Sequence, residues 1–352
     1  MVIHLSPNDD FDKALSLIRE PGSEFVLKKG EKYSTKGNWA FPDYRSVGDG
    51  VIIRGEGARL CLENPIQSYK GEIRKDRDLG VLWCGHNARI ENLILDGNEK
   101  LYNNPDPSKS WYVSQGLWGT GTLYAINVTV ENIRGAVNAP NSLSGSVEAF
   151  AFGSQDNNGG SLFEECSVQN CPENSYISCF QIGHDNPVAN RSTVKNCTIN
   201  IDKNNWFGFG VNCNVDIIKC QIKNGVRNAV YNDTGRTSDI RIQDCAFANI
   251  EKALSLIVPN GHPANKGKVL FRNSLFGYSD GAERHLVELW DKNIGAESIM
   301  GGVYFIDCGV TCRQGAKLYV ACSGKEIREV VLINTLTSVP LVNTIGNKLT
   351  IL

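Results

Sequence analysis

The stretch Lys195-Asn196-Cys197-Thr198-Ile199 decides the fold, because it recurs along the chain. The same five-residue pattern has a polar residue second, a small or apolar residue third and usually an apolar residue fifth. It stands at 91–95 (ENLIL), 126–130 (INVTV), 164–168 (EECSV), 218–222 (IKCQI), 243–247 (QDCAF), 272–276 (RNSLF), 306–310 (IDCGV) and, more weakly, 333–337 (INTLT). The third positions are Leu93, Val128, Cys166, Cys197, Cys220, Cys245, Ser274, Cys308 and Thr335, separated by 35, 38, 31, 23, 25, 29, 34 and 27 residues. Period-two alternation makes each pentamer a short strand whose third and fifth side chains share a face. A fixed strand at variable spacing is the mark of a solenoid whose coils differ in length.

Further short strands surround the pentamers: Phe150-Ala151-Phe152, Phe180-Gln181-Ile182, Phe209-Gly210-Val211, Leu256-Ile257-Val258 and Val287-Glu288-Leu289. Each coil therefore holds at least two strands, separated by turns. The 35 Gly and 35 Asn among 352 residues supply that turn chemistry. Length alone would suggest two domains, but the repeat overrides it and predicts one domain over 1–352. Asp9-Asp10 followed by Phe11, Ala14, Leu15, Leu17 and Ile18 has helical spacing, so 9–20 is expected to be a helix capping the first coil. Residues 99–118 read as an inserted loop, and 330–352 as the last coil or a C-terminal cap.

A formal charge of −2, a pI near 6.2 and the lack of a Lys/Arg-rich run give no attraction to a phosphate backbone, so nucleic acid is not an expected partner. No apolar run is long enough to span a bilayer, so no membrane is expected either. The opening Met1-Val2-Ile3-His4-Leu5-Ser6-Pro7 does not read as a secretory signal. The expected setting is the cytoplasm, a phage, or secretion with the leader removed.

Twelve cysteines make up about 3% of the chain. Five of them occupy the inward third position and are expected to stack as free thiols in the core. Cys308 and Cys312 are four apart and Cys166 and Cys171 five apart, neither being the spacing of a closed zinc site. Stacked equivalents have parallel Cβ vectors, which disfavours disulfides. The asparagines at the second position are expected to form an amide ladder or a solvated rim.

These coils, the Asn-Cys-x-Ile strand, the opening Pro21-Gly22-Ser23-Glu24-Phe25-Val26-Leu27 and the later Ile52-Ile53-Arg54-Gly55-Glu56-Gly57 resemble the right-handed parallel β-helix proteins of the pectate-lyase-like superfamily. The resemblance covers roughly residues 21 to 345. It implies an all-β fold, a right-handed single-stranded parallel β-helix of about nine coils or more with an N-terminal capping helix. It does not imply one activity, because the superfamily includes lyases, hydrolases, epimerases, tailspikes and adhesins. The chain lacks the Trp-Ile-Asp-His of pectate lyases and the Asp-Pro-His of alginate epimerases, so no activity transfers residue by residue.

Proteins with this fold place their sites on one sheet and the turns leaving it. Aligning those turns brings together Asp156, His184, Asp185, Asp233, Arg227 and Arg236 as candidate catalytic residues, with acids, a base and cations on adjacent rungs. Glu148, Tyr176, Gln181, Trp206, Tyr231 and Glu288 flank them as candidate substrate contacts, and Trp111 and Trp118 of the inserted segment could stack on sugar faces. A lyase would use a base and a cation to neutralise the uronate carboxylate. Calcium held by Asp156, Asp185 and Asp233 would suit that role. A hydrolase would use two carboxylates, Asp156 with Asp185 or Asp233.

The leading expectation is a polysaccharide lyase or glycoside hydrolase binding a polysaccharide or oligosaccharide in a groove. The alternatives are a non-catalytic tail-fibre or adhesin module, associating with copies of itself through the C-terminal end, and an intracellular enzyme acting on a small molecule in the same groove.

Overall fold

The computed structural model describes residues 1–36, 38–39, 47–63, 79–98, 115–133, 147–152, 160–171, 177–183, 190–233, 239–258, 267–289, 301–321 and 327–352. They divide into two compact units, the first formed by 1–154, 161–181 and 201–204, the second by 155–160, 182–200 and 205–352. Both are built from coils of parallel strands. No helix among the described residues is long and apolar enough to cross a membrane.

In the first unit, one stack runs through Val2–Leu5, Glu24–Leu27 and the first halves of Ile52–Leu62, Ala88–Asp96 and Leu123–Glu131, ending at Leu162–Glu164. A second stack runs through Lys32–Thr35, the second halves of the same long strands and Ser167–Gln169. A third contains Leu79–Cys84, Gln115–Gly119 and Val147–Phe152. The N-terminal helix spans Phe11–Leu17, and Asp10 caps it by accepting the Lys13 N–H at 2.9 Å. Its buried Asp12 accepts from Thr35 Oγ1 at 2.7 Å and from the Lys36 N–H at 2.9 Å, tying the helix to a strand of the second stack.

The second unit repeats the three-stack plan. Ser192–Lys195, Val215–Ile218, Ile240–Gln243, Val269–Arg272, Val303–Ile306, Val330–Ile333 and Leu349–Ile351 form one stack. The start of Gln221–Asp233, then Ala246–Ile250, Leu275–Tyr278, Gly309–Thr311 and Leu336–Thr337 form another. The end of Gln221–Asp233, then Ala253–Val258, Glu283–Leu289, Lys317–Ala321 and Leu341–Val342 form the last.

The repeated pentamer occupies the corner between the first two stacks. Its third and fifth side chains are buried, as in Leu93 and Leu95, Cys197 and Ile199, and Cys245 and Phe247. Its second residue is the corner itself. Asn92, Asn127, Glu165, Asn196, Lys219, Asp244, Asn273, Asp307 and Asn334 all have φ between 45° and 56°. That left-handed conformation favours Asn and Asp, whose short side chains bond locally. Side chains at the exposed corner pair between rungs: Asn127 Nδ2 donates to Asn92 Oδ1 at 2.8 Å, Asn273 Nδ2 to the Asp244 carboxylate at 2.6 Å, and Asn334 Nδ2 to the Asp307 carboxylate at 2.8 Å.

The corner also explains why Cys, Ser and Thr interchange at the third position. Each turns its side-chain donor back to the carbonyl two residues earlier: Cys197 to Lys195 at 3.3 Å, Cys245 to Gln243 at 3.2 Å, Cys308 to Ile306 at 3.3 Å, Ser274 to Arg272 at 2.7 Å and Thr335 to Ile333 at 3.1 Å. These residues are small enough for the core and still satisfy a corner carbonyl. All eleven described cysteines are free thiols, ten of them buried. Aromatic rings stack along the core, Phe150 on Phe180 at 4.8 Å and Phe271 on Phe305 at 4.7 Å, both close to the rung spacing.

Candidate functional site

The third stack of the second unit carries polar side chains where its neighbours are apolar. Register places Asn228, Ala253, His285 and Tyr319 in one column across four rungs, with Val230, Ser255, Val287 and Ala321 two residues further along and Asn232, Ile257 and Leu289 beyond them. Residues two apart on a strand share a face, so Asn228, Asn232, Ser255 and His285 look the same way. Glu283 and Lys317, exposed at the strand starts, lie on that face too, and buried Leu286 and Leu318 lie on the other.

Asn228, Asn232 and Ser255 are 2%, 1% and 0% exposed. Asn228 Oδ1, both amide atoms of Asn232, Ser255 Oγ and His285 Nδ1 are buried without a hydrogen-bond partner. Leaving such groups unpaired costs about 1–3 kcal/mol each, so their concentration on three adjacent rungs makes this stretch the candidate site.

His285 stacks on Tyr319 with ring centroids 5.3 Å apart, and Tyr319 Oη donates to Glu283 Oε1 at 3.3 Å. The Tyr278 hydroxyl donates to the His285 carbonyl at 2.5 Å and fixes that backbone. Burial lowers the imidazole pKa below its ordinary 6.5, with the opposing pull of Glu288 smaller. His285 is therefore neutral at pH 7 and can accept a proton.

On the opposite face of the same strand, Glu288 is 3% exposed and ion-paired through Oε1 to Lys252. Its Oε2 has no partner. Arg284 is committed to carbonyls of its own turn, donating to Ser279 O at 2.9 Å and to Asp280 O at 2.5 Å. Arg227 alternates with Asn228 and lies on the face away from it.

The first unit holds a different polar assembly. Asp96 and Glu131 are Cα partners on neighbouring rungs, and Gln169 follows in the same column. Arg59 donates to both carboxylates, reaching Asp96 Oδ2 at 2.9 Å. Asn132 Nδ2 and the Asn98 N–H each donate to Asp96 Oδ1 at 2.8 Å, and Gln169 Nε2 donates to Glu131 Oε2 at 3.2 Å. Burial pushes the Asp96 pKa up, but these hydrogen bonds and Arg59 outweigh it and hold the group below the usual carboxylate value. A ladder of Arg54 with Glu24 and Glu91, and of Arg89 with Glu91, extends the charge pairing.

Of the residues singled out from sequence, Arg227, Tyr231 and Glu288 lie on the strands of the second-unit site. Tyr231 stacks on Phe207 at 4.3 Å. Asp233 ends the strand Gln221–Asp233, and Trp206 and Glu148 fall within strands, but the side chains of these three lie outside the described residues. Asp156, Tyr176, His184, Asp185, Arg236 and Trp111 lie wholly outside them. In the first unit, Gln181 accepts from Ser178 Oγ at 2.8 Å, and Trp118 stacks on its register partner Trp83 at 5.2 Å.

Sequence reading missed Asn228, Ser255, Lys252 and His285 because it searched the turns. The available signal was a polar residue at an alternating strand position, as in Ala253-Leu254-Ser255-Leu256. Among the described residues, no three His, Cys, Asp or Glu side chains gather as a metal-binding set.

No protein-family model matches the chain, and no curated protein matches it. Among solved structures, the A-module of mannuronan C-5 epimerase AlgE4 from Azotobacter vinelandii superposes with a TM-score of 0.55 at 13% identity, covering 94% of this chain and 90% of that one. Pectate lyase Pel9A superposes with a TM-score of 0.41 at 11% identity, covering 99% of this chain and 78% of that one. Three stacks of parallel strands, a repeated left-handed corner and the first of these likenesses identify the fold as a parallel β-helix.

Proposed function

We propose that the chain is a carbohydrate-active enzyme, a polysaccharide lyase or glycoside hydrolase, working on a glycan laid across the strands that carry Asn228, Asn232, Ser255 and His285. The observation that carries this reading is the set of buried, unpartnered polar atoms on three consecutive rungs. Three rungs span about 10 Å, room for one or two sugar units rich in hydroxyls. A solved structure that shares the fold is named for an activity on mannuronan, which supports a polysaccharide as the substrate class.

His285 is the proton acceptor in this reading, neutral and held between Tyr319 and the Tyr278 hydroxyl. Asp96 and Glu131, the register-paired carboxylates of the first unit, are no substitute. A hydrolase needs one carboxyl kept protonated, and Arg59 with the surrounding amides favours the Asp96 anion. Asp156, Asp185 and Asp233 would be the oxygen ligands of a calcium-assisted lyase.

The test is release of reducing ends and of unsaturated products from a panel of neutral and acidic polysaccharides, with added calcium and with chelator. Release from at least one polymer supports the proposal. Silence across the panel overturns it in favour of a binding module or an enzyme for a small molecule.

A further inference from the structure

Resting on that reading of the site, we infer that the strand face of Asn228, Ser255, Asn232 and His285 selects a neutral, hydroxyl-bearing glycan over a uronate-containing one. Asn228 Oδ1 and Asn232 Oδ1 are hydrogen-bond acceptors, Asn232 Nδ2 is a donor, and Ser255 Oγ is both. Sugar hydroxyls satisfy both kinds of group at once. A carboxylate only accepts: it could take a hydrogen bond from Ser255 Oγ or Asn232 Nδ2, but would place its charge against the buried amide oxygens of Asn228 and Asn232.

Charge points the same way. A buried carboxylate needs a cation that is not already committed, because an unpaired buried charge costs several kcal/mol. Among the described residues on this face, the only cation is Lys317, which is exposed at a strand start. Lys252 is paired with Glu288, Arg284 is held by Ser279 and Asp280, and Arg227 lies on the opposite face of its strand. His285 is uncharged at neutral pH.

A neutral sugar lacks the carboxylate that acidifies the neighbouring C–H for elimination. Of the two reactions proposed, it leaves hydrolysis. Water is then split across the glycosidic bond, its hydroxyl going to the anomeric carbon and its proton to the departing oxygen.

The experiment titrates the 352-residue chain with maltohexaose, cellohexaose and xylohexaose, and with hexamers of galacturonate and mannuronate. Affinity is read by calorimetry and location by the His285 imidazole resonances. The inference expects one neutral hexamer to bind at least tenfold more tightly than either uronate, with a shift of the His285 signals. It also expects at least a tenfold loss of that affinity in both Asn232→Asp and Ser255→Ala, each checked for an unchanged melting temperature. A uronate hexamer that binds more tightly while shifting His285 overturns the neutral selectivity and leaves the site standing. Binding or turnover that leaves His285 unmoved overturns the site and this inference together.

Discussion

Asp96 and Glu131 face each other across one rung as register partners and share a single guanidinium nitrogen of Arg59. Two carboxylates at rung spacing repel unless a cation stands between them, so Arg59 makes this stretch of the coil compatible with folding at neutral pH. Removing it in Arg59→Met should lower stability by about 3 kcal/mol at pH 7, the scale for breaking a partly buried pair. The Asp96 pKa is depressed in the folded state, so its contribution is present above the unfolded carboxylate value and lost as pH falls through the folded one. Urea denaturation of the wild type should therefore show stability falling below about pH 4. The deficit of Arg59→Met should shrink over the same range.

The left-handed corners give a second expectation. Lys219 holds φ at 53° with neither the short amide of Asn nor the freedom of Gly. Lys219→Asn and Lys219→Gly should each raise stability by up to about 1 kcal/mol, and Asn196→Ala should lower it by a similar amount. Thermal melts of the three variants test the sign at each position.

Cys220 tests the role of the third-position side chain. Its thiol reaches the carbonyls of Ile218 at 3.4 Å and Val194 at 3.5 Å. Cys220→Ser, which keeps a donor, should cost less than Cys220→Ala, which removes both the donor and the packing. The order is read from urea midpoints. Burial raises the thiol pKa values, that of Cys213 to about 12, so a thiol reagent at pH 8 should label fewer than three cysteines before denaturation.

His285 should titrate below 6.5 in the folded protein, because burial disfavours the imidazolium more than Glu288 favours it. The depressed folded value means the group adds stability above 6.5 and loses it as pH falls through the folded value. An imidazole titration followed by NMR gives the midpoint directly. A value above 6.5 would show that Glu288 dominates.

How much of this was legible in the sequence follows from which features repeat. Buried third and fifth positions, Cys197 with Ile199 and Cys245 with Phe247 among them, recur in pentamer after pentamer, so the buried face could be read without coordinates. The corner could not, because Asn196 and Lys219 share a backbone conformation but no side-chain chemistry. Asp96, Glu131 and Gln169 did leave a trace, a polar residue immediately after the pentamer, whose meaning depends on Arg59 reaching across from another coil. The strands of the site were legible through Arg227, Tyr231 and Glu288, but its polar face was not. Asn228, Ser255 and His285 are scattered polar residues in strands, and only the register of three rungs brings them into one patch.

The central claim is that this patch does the chemistry. The most direct test compares reducing-end release by the wild type and by His285→Ala on the same polysaccharide panel, with melting temperature as the control for folding. The account predicts release by the wild type and a loss of at least a hundredfold in the variant at unchanged melting temperature, the scale of a removed proton-transfer group. Equal release by the two proteins would contradict it.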